Sequence, residues 1–253
     1  MDLSGKAALV TGSSKGIGRG IAIKLAKLGC DVAVHYNSDQ PGADDVAAAI
    51  RAEGRETITV RADVGKAGPV QDMFETVLGQ FRRLDILVNN AGTQVWAPLL
   101  ELSEEDWDKV IDTNLKGCFL CTQLAGRHMK KHGGGRIVNI GSGCNKFAFP
   151  NLVSYTASKG GIEQLTKVAA AELGEHGITV NCVAPGAILI ERTEREAEDY
   201  AGQWARLTPM GRVGYPDDVA EAVAFICTDA ADFVSGQTLM VDGGIFTRGP
   251  WAY

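Results

Sequence analysis

No apolar run in this sequence reaches the ~18–20 residues that a bilayer-crossing helix needs, so no membrane partner is expected. A surplus of positive charge is also missing: 25 Lys and Arg stand against 31 Asp and Glu, a formal charge of −6. Without a basic field, nucleic acid is not an expected partner either. Histidines are few, four in 253 residues, and none clusters with the one C-x-x-C spacing, Cys118 to Cys121. That spacing falls inside a helical pattern with no second cysteine pair nearby. The six cysteines therefore read as buried thiols in a reducing compartment, with no metal site. The opening residues 1–6 show no signal-peptide pattern, which points to a cytoplasmic protein. Linkers, low-complexity tracts and internal repeats are absent too, so residues 1–253 read as a single domain.

What the chain does have is a regular alternation. Short apolar, β-branched runs at 7–11, 31–36, 57–62, 86–89, 136–140, 179–184 and 238–241 predict strands. Amphipathic stretches at 18–28, 42–53, 70–81, 104–131, 155–175 and 217–227 predict helices between them. Several strands are almost wholly apolar, as strands covered on both faces are. Ser103, with Asp106 three residues on, marks a helix start related to a capping box. The alternation implies an α/β fold: a Rossmann-type, doubly wound parallel sheet of about seven strands with helices on both faces. Ligands of such sheets lie beyond the carboxyl ends of the strands. Four unusual segments fall there, at 11–18, 89–92, 141–143 and 185–186.

The first of these, Thr11-Gly12-Ser13-Ser14-Lys15-Gly16-Ile17-Gly18, joins a strand to a helix. Its glycines permit tight turns and close approach of main-chain N–H groups to a ligand. The following helix start offers unpaired donors and a partial positive charge to a pyrophosphate. The spacing is G-x-x-x-G-x-G, a variant of the usual dinucleotide fingerprint. The second strand ends Val34-His35-Tyr36-Asn37-Ser38, with no acid there to take a ribose 2′-OH, although Asp39 follows shortly. Lys15 places an ammonium where a 2′-phosphate would sit, with Asn37 and Ser38 as neutral partners. The reading is a preference for NADP(H), with NAD(H) as the alternative. Against it, Lys15 is equally an ordinary exposed loop charge.

Tyr155 and Lys159 stand four residues apart in a helical stretch, with Ser142 thirteen residues upstream. Residues at i and i+4 share a helix face. A phenol alone is a weak acid, and an ammonium one turn away favours its phenolate. A nearby Ser hydroxyl can hold a substrate oxygen while the Tyr exchanges a proton with it. By itself the spacing is also that of a common exposed pair.

Taken together and in order, these segments resemble the short-chain dehydrogenases/reductases across essentially the whole chain. Thr11–Gly18 is similar to that family's T-G-x-x-x-G-x-G, and Asn89-Asn90-Ala91-Gly92 to its N-N-A-G. Asn114 falls where the family keeps a fourth active-site residue beside Ser142, Tyr155 and Lys159. Asp63-Val64 resembles the adenine-contacting pair, and Pro185-Gly186 the nicotinamide-side turn. The resemblance implies that Ser142 holds the substrate oxygen, that Tyr155 is general acid or base, and that Lys159 supports Tyr155 and binds the nicotinamide ribose. It gives the main-chain carbonyl of Asn114 to a water that links Lys159 to solvent. Cofactor contacts are then expected from Gly12, Ser14, Lys15, Gly16, Ile17 and Gly18 in the turn. Tyr36, Asn37, Ser38, Asp63 and Val64 follow on the adenosine side. Asn90, Ala91, Gly92, Tyr155, Lys159, Pro185, Gly186 and Ile188 complete the set. Where many relatives carry a Thr four residues past the Gly of that turn, this chain has Ile190. The carboxamide contact is therefore expected from the Ile188 main chain or from Thr193.

A polar stretch at about 188–212 reads as a lid over the substrate. Asn145, Trp96 and Glu191, with Ser142, are the expected substrate contacts, a set suited to a hydroxyl-rich ring; solvated loop residues are the plainer alternative. Two neighbourhoods of the family compete, the aldose (glucose-type) 1-dehydrogenases and the 3-oxoacyl-carrier-protein reductases. The aldose or polyol reading is preferred on the stretch 139–161 and the tail. A general ketone reductase and a non-catalytic NADP-binding regulator are further alternatives. The resemblance also implies a homotetramer built on the helices at 104–131 and 155–175, with the apolar tail 244–253 crossing a subunit interface.

Overall fold

The computed structural model describes residues 1–247; the last part of the expected interface tail, 248–253, lies outside them. In chain order the elements are β1 (Ala7–Val10), α1 (Gly16–Lys27), β2 (Asp31–Tyr36), α2 (Gln40–Ala52), β3 (Thr57–Arg61) and α3 (Ala67–Phe81). Then come β4 (Ile86–Asn89), α4 (Glu104–Ile111), α5 (Gly117–Met129), β5 (Gly135–Ile140) and α6 (Val153–Leu173). The chain ends with β6 (Ile178–Pro185), α7 (Tyr200–Leu207), α8 (Pro216–Cys227) and β7 (Thr238–Val241).

Successive side chains of a strand point to opposite faces, so an apolar strand feeds two cores. In β1, Ala8 and Val10 join one cluster and Leu9 the other. In β2, Val32 and Val34 go with the first and Ala33 with the second. Helices α1, α2 and α8 cover the first face through Ile21, Leu25, Val46, Ile50 and Val223. Helices α3 and α5 cover the second through Phe74, Val77, Ala125 and Met129. Complete burial of one such Leu or Ile stabilises the fold by about 1.5–3 kcal/mol.

The sheet has seven strands, all paired in parallel, in the order β3-β2-β1-β4-β5-β6-β7. The strand order reverses between β1 and β4, and a crevice opens at such a switch point. The turn after β1 and the N-N-A-G segment after β4 both end there. The expected Rossmann-type architecture is therefore the observed one.

One expected helix is interrupted. The stretch read as continuous over 104–131 is α4, a π turn at Asp112–Lys116, and α5. The main chain widens where the Asn114 side chain is drawn to Thr93 and Ser158. Gly117 then lies against Val64, where a Cβ would come within 2.9 Å of the Val64 side chain. Apolar periodicity carries no sign of such a bulge, and π turns are frequent at functional sites. The Ser103 cap is present: its hydroxyl accepts the Asp106 N–H at 3.1 Å and meets the Asp106 carboxylate at 3.0 Å. Among the described residues no helix is long and apolar enough to cross a membrane.

Candidate active site

The turn after β1 is bare main chain held from three sides. Gly12 has φ +62°, and a Cβ there would come within 2.8 Å of the Ala91 Cα. A side chain at Gly18 would strike the Gly12 carbonyl and the Asn90 amide. The Asn90 amide donates to the carbonyls of Thr11 and Gly12, each at 2.9 Å. The Thr11 hydroxyl in turn accepts the N–H groups of Asn90 and Ala91, each at 3.0 Å. So the N-N-A-G segment acts first on the glycine turn. The first turn of α1 has no side-chain cap, which leaves its N–H groups for a ligand. This donor set and this lack of side chains fit the pyrophosphate of a dinucleotide. Ser14, Gly16 and Ile17 belong to the same turn and helix start.

The adenosine side is less simple than the sequence suggests. Lys15 is 66% exposed and lies 3.6 Å from the Asp39 carboxylate. Asp39 caps α2 by accepting the Gly42 N–H at 3.2 Å. Burial works against its charged form. That effect is outweighed by the Gly42 N–H, the Ser14 hydroxyl and Lys15, and the carboxyl stays below the usual carboxylate range. Arg61, unnoticed in the sequence, brings a second cation: its Nε donates to the Asn37 carbonyl at 3.1 Å. The register that pairs Tyr36 with Arg61 would have pointed to it. Tyr36 and Val64 are buried, one in each core, so their side chains are not free for the cofactor contacts expected of them. Asp63 accepts the Gly65 N–H at 3.1 Å and lies 3.1 Å from Lys66. Ser38 is exposed at the end of β2.

The four expected catalytic residues come from three places: Asn114 from the π turn, Ser142 from the loop after β5, and Tyr155 and Lys159 from the first half of α6. Lys159, 5% exposed, donates to the Ile140 carbonyl at 2.7 Å and lies 5.5 Å from the centre of the Tyr155 ring. It has no ion pair among the described residues. Ser142 follows β5 directly, and its hydroxyl accepts the Cys144 N–H at 3.2 Å. Asn114 accepts the Thr93 N–H at 2.7 Å and donates to the Thr93 carbonyl at 2.9 Å and the Ser158 hydroxyl at 3.0 Å. Ser158 passes the tie on, donating to the Tyr155 carbonyl at 2.7 Å. Gly92 lies beside this group, close to the Asn114 side chain.

Behind the four lies a buried polar network that sequence reading missed. Asn89 donates to Asn139 at 2.8 Å and to Thr122 at 3.0 Å, and Asn139 donates to Thr166 at 2.9 Å. The Cys118 thiol donates to Asn139 at 3.2 Å. Cys118 and Cys121 are both buried free thiols, and burial pushes the Cys118 thiol up to about 12. Isolated Asn residues inside the apolar strands β4 and β5 were the available signal. Among the described residues no three His, Cys, Asp or Glu gather in a metal-like group.

The substrate side is made of loops. Pro185 pairs with Val241 and Gly186 donates to the Val241 carbonyl at 2.9 Å, which fixes the turn after β6. Ile188 is buried, and the following residue Leu189 donates to the Gly214 carbonyl at 2.8 Å. Thr193 spends its hydroxyl on the main chain of Ile188 and Ile190, closing the turn that Ile190 begins. Ile190 lies on Gly16. The stretch 188–212 carries α7, whose Tyr200 phenol is pushed up to about 12 by burial, then by Glu196, with lesser contributions from Tyr155 and Cys144. Asn145 turns its amide to Glu163, which also meets Lys146 at 3.8 Å and Lys167 at 3.2 Å. Trp96 is exposed; the neighbouring Ala97 N–H donates to the Asn151 carbonyl at 2.9 Å, so its loop borders the one that leads into Tyr155. Glu191 is exposed in a groove of about 560 Å³ between α1 and α8. From the tail, Phe246 packs on Gly143, with ring centres 5.8 Å from Phe147 and 6.1 Å from Phe149.

Comparison with known proteins agrees with this arrangement. Residues 12–246 match a family model described as enoyl-(acyl carrier protein) reductase. A 3-oxoacyl-[acyl-carrier-protein] reductase FabG of Staphylococcus epidermidis is 42% identical over 241 residues, covering 95% of this chain and 99% of that protein. Glucose 1-dehydrogenase 2 of Bacillus subtilis is 41% identical over 247 residues, covering 96% of each. The crystal structure of the angucycline C-6 ketoreductase LanV with bound NADP superposes with a TM-score of 0.92 at 37% identity, covering 98% of each chain. With the glycine turn, the N-N-A-G tie and the Ser142, Tyr155 and Lys159 group in place, the chain belongs to the short-chain dehydrogenase/reductase family of oxidoreductases.

Proposed function

We propose that the chain moves a hydride between a nicotinamide, with NADP(H) preferred, and the carbon of an alcohol or carbonyl group. Lys159 is the observation that carries this reading. It is a buried ammonium with no acid partner among the described residues, bonded to one carbonyl and set one helical turn from Tyr155. Such a charge is costly to bury for packing alone and marks a working site. Lys159 sets its ammonium beside the Tyr155 ring and binds the ribose hydroxyls. Tyr155 gives its proton to the substrate oxygen in reduction and takes one in oxidation, while Ser142 holds that oxygen. The Asn114 side chain is tied to Thr93 and Ser158, and its main-chain carbonyl takes the water that joins Lys159 to solvent. When bound, the nicotinamide supplies the hydride donor or acceptor that no side chain provides.

Two cations at this end of the site, Lys15 beside Asp39 and Arg61 on the Asn37 carbonyl, favour a 2′-phosphate; Asp39 opposes it. The Asp63–Val64 pair takes the adenine, and the Pro185–Ile188 turn takes the nicotinamide. For the substrate, the first reading is an aldose or polyol under a lid at about 188–212, with Trp96 as the stacking face and Asn145 and Glu191 as polar contacts. Similarity to glucose 1-dehydrogenase 2 supports it. The second is a 3-oxoacyl thioester on an acyl carrier protein, favoured by the FabG relative and by the apolar wall of Phe147, Phe149 and Phe246. A cytoplasmic homotetramer fits the exposed Trp107, Phe119 and Val168 on α4, α5 and α6.

One experiment tests these points. Aldoses and polyols with NADP or NAD, and a β-ketoacyl thioester with NADPH or NADH, are assayed with wild type and Lys15→Ala. Sugar oxidation faster with NADP, and an NADP/NAD ratio of kcat/KM lowered about tenfold in the variant, is expected. Thioester reduction without sugar oxidation overturns the first substrate reading. An unchanged ratio overturns the role of Lys15.

A further inference from the structure

His35 lies on β2, 1% exposed, and takes no part in the proton chemistry. Both of its ring nitrogens are nevertheless engaged. The Gly12 N–H donates to Nδ1 at 2.8 Å, and Nε2 is 3.1 Å from the Ala62 carbonyl. A main-chain N–H only donates and a carbonyl only accepts, so the ring is neutral with its proton on Nε2. The main chain doubles the tie. Ser13 N–H donates to the His35 carbonyl at 2.9 Å, and His35 N–H donates to the Ser13 hydroxyl at 3.1 Å. That hydroxyl donates to the Val10 carbonyl at 2.7 Å. From the opposite side Ala91 presses on Gly12.

The two ends of this bridge are informative. Gly12 opens the turn that receives the pyrophosphate. Ala62 immediately precedes Asp63 and Val64, on the adenine side. We infer that His35 is a positioning residue for the dinucleotide: its imidazole pins the first glycine of the phosphate turn to the end of β3 and so fixes the spacing between the pyrophosphate and adenine subsites. A turn held in place before binding loses less conformational freedom when the ligand arrives. The ordinary alternative is a core histidine that adds to stability alone. The inference rests on the dinucleotide reading of the site.

The test compares His35→Asn, His35→Gln and His35→Phe with wild type. The Asn amide places an oxygen near the Nδ1 position and keeps the Gly12 bond. The longer Gln reaches toward Ala62 and loses it, and Phe loses both. Binding of NADPH is followed by its fluorescence, and adenosine 2′-monophosphate, which fills the adenosine side alone, is titrated by calorimetry. His35→Phe should weaken NADPH about tenfold, the cost of one unpaired N–H, and the fragment by less than about threefold. His35→Asn should stay within about threefold of wild type, and His35→Gln should bind more weakly than His35→Asn. In wild type, long-range proton–nitrogen NMR should show the Nε2–H tautomer.

Equal losses of dinucleotide and fragment, or a folded His35→Phe that binds NADPH normally, overturn the inference. So does an Nδ1–H tautomer in wild type. If His35→Phe does not fold, the order of the Asn and Gln variants decides in the same way. Wild type that binds neither NADPH nor NADH overturns the dinucleotide reading, and the clamp with it.

Discussion

Around the glycine turn, contacts end on main chain: His35 and Asn90 on Gly12, Thr11 on Asn90 and Ala91. On the substrate side they join side chain to side chain near the surface. Gln94 meets Glu196 at 3.0 Å, Arg192 meets Glu196 at 3.5 Å, and Lys146 and Lys167 meet Glu163. A main-chain target accepts few residue types at its one position. Exposed pairs are worth only ~0–1 kcal/mol each and can be exchanged with little loss. The same fold thus keeps one hydride chemistry while leaving the substrate open, as the differing names of its relatives illustrate.

The sharpest way to separate the halves is Tyr155→Phe. Loss of the proton carrier should lower kcat by about 10²–10⁴-fold while NADPH binding stays within a few fold. Fluorescence titration beside steady-state rates checks this, and a variant with a tenth of wild-type turnover would contradict it. Next in size is a pH effect confined to the cofactor half. Burial lowers the His35 pKa to about 4 from an ordinary value near 6.5; the Ala62 carbonyl and Asp63 act weakly the other way. The folded ring therefore stays neutral while the unfolded one takes a proton. Its contribution is complete above about pH 6.5, is lost as the pH falls toward 4, and is level below that. The full span is about 3 kcal/mol. Urea midpoints from pH 7.5 to 4.5 should fall less steeply in His35→Asn than in wild type, and parallel curves would refute the effect.

Asn139→Leu probes the network behind both halves. It leaves the Asn89 amide and the Cys118 thiol without their Asn139 partner, and a loss of about 1–3 kcal/mol is expected by urea unfolding. A change under half a kcal/mol would mean the network reorganises freely. Smallest is Gln94→Ala in the loop after β4, which removes the tie to Glu196; it should alter stability by less than about 0.5 kcal/mol and show its effect in substrate KM. A destabilisation above about 1 kcal/mol would place this contact with the rigid half instead.

Legibility in the sequence follows the same division. The glycine turn, the N-N-A-G segment and the Tyr155–Lys159 spacing are local patterns, each within eight residues, so reading along the chain finds them. Leu9 between Ala8 and Val10 likewise announces a strand covered on both faces. Contacts such as His35 with Gly12 and Ala62, Arg61 with Asn37, and Asn139 with Thr166 join residues 23 or more apart. No local pattern marks them. The π turn at Asn114 belongs with these, because bonds to Thr93 and Ser158 open it.

By itself the sequence determined the alternation of strands and helices, because apolar periodicity and glycine placement are properties of neighbouring residues. It also determined the family. Only the tertiary structure decided that Lys159 is buried without an acid among the described residues, that Asp39 stands against Lys15, and that Asn145 turns to Glu163. The reason is physical. Charge and hydrogen-bond partners depend on distance through space and on exclusion of water, and the chain acquires both only when the sheet is closed by its helices.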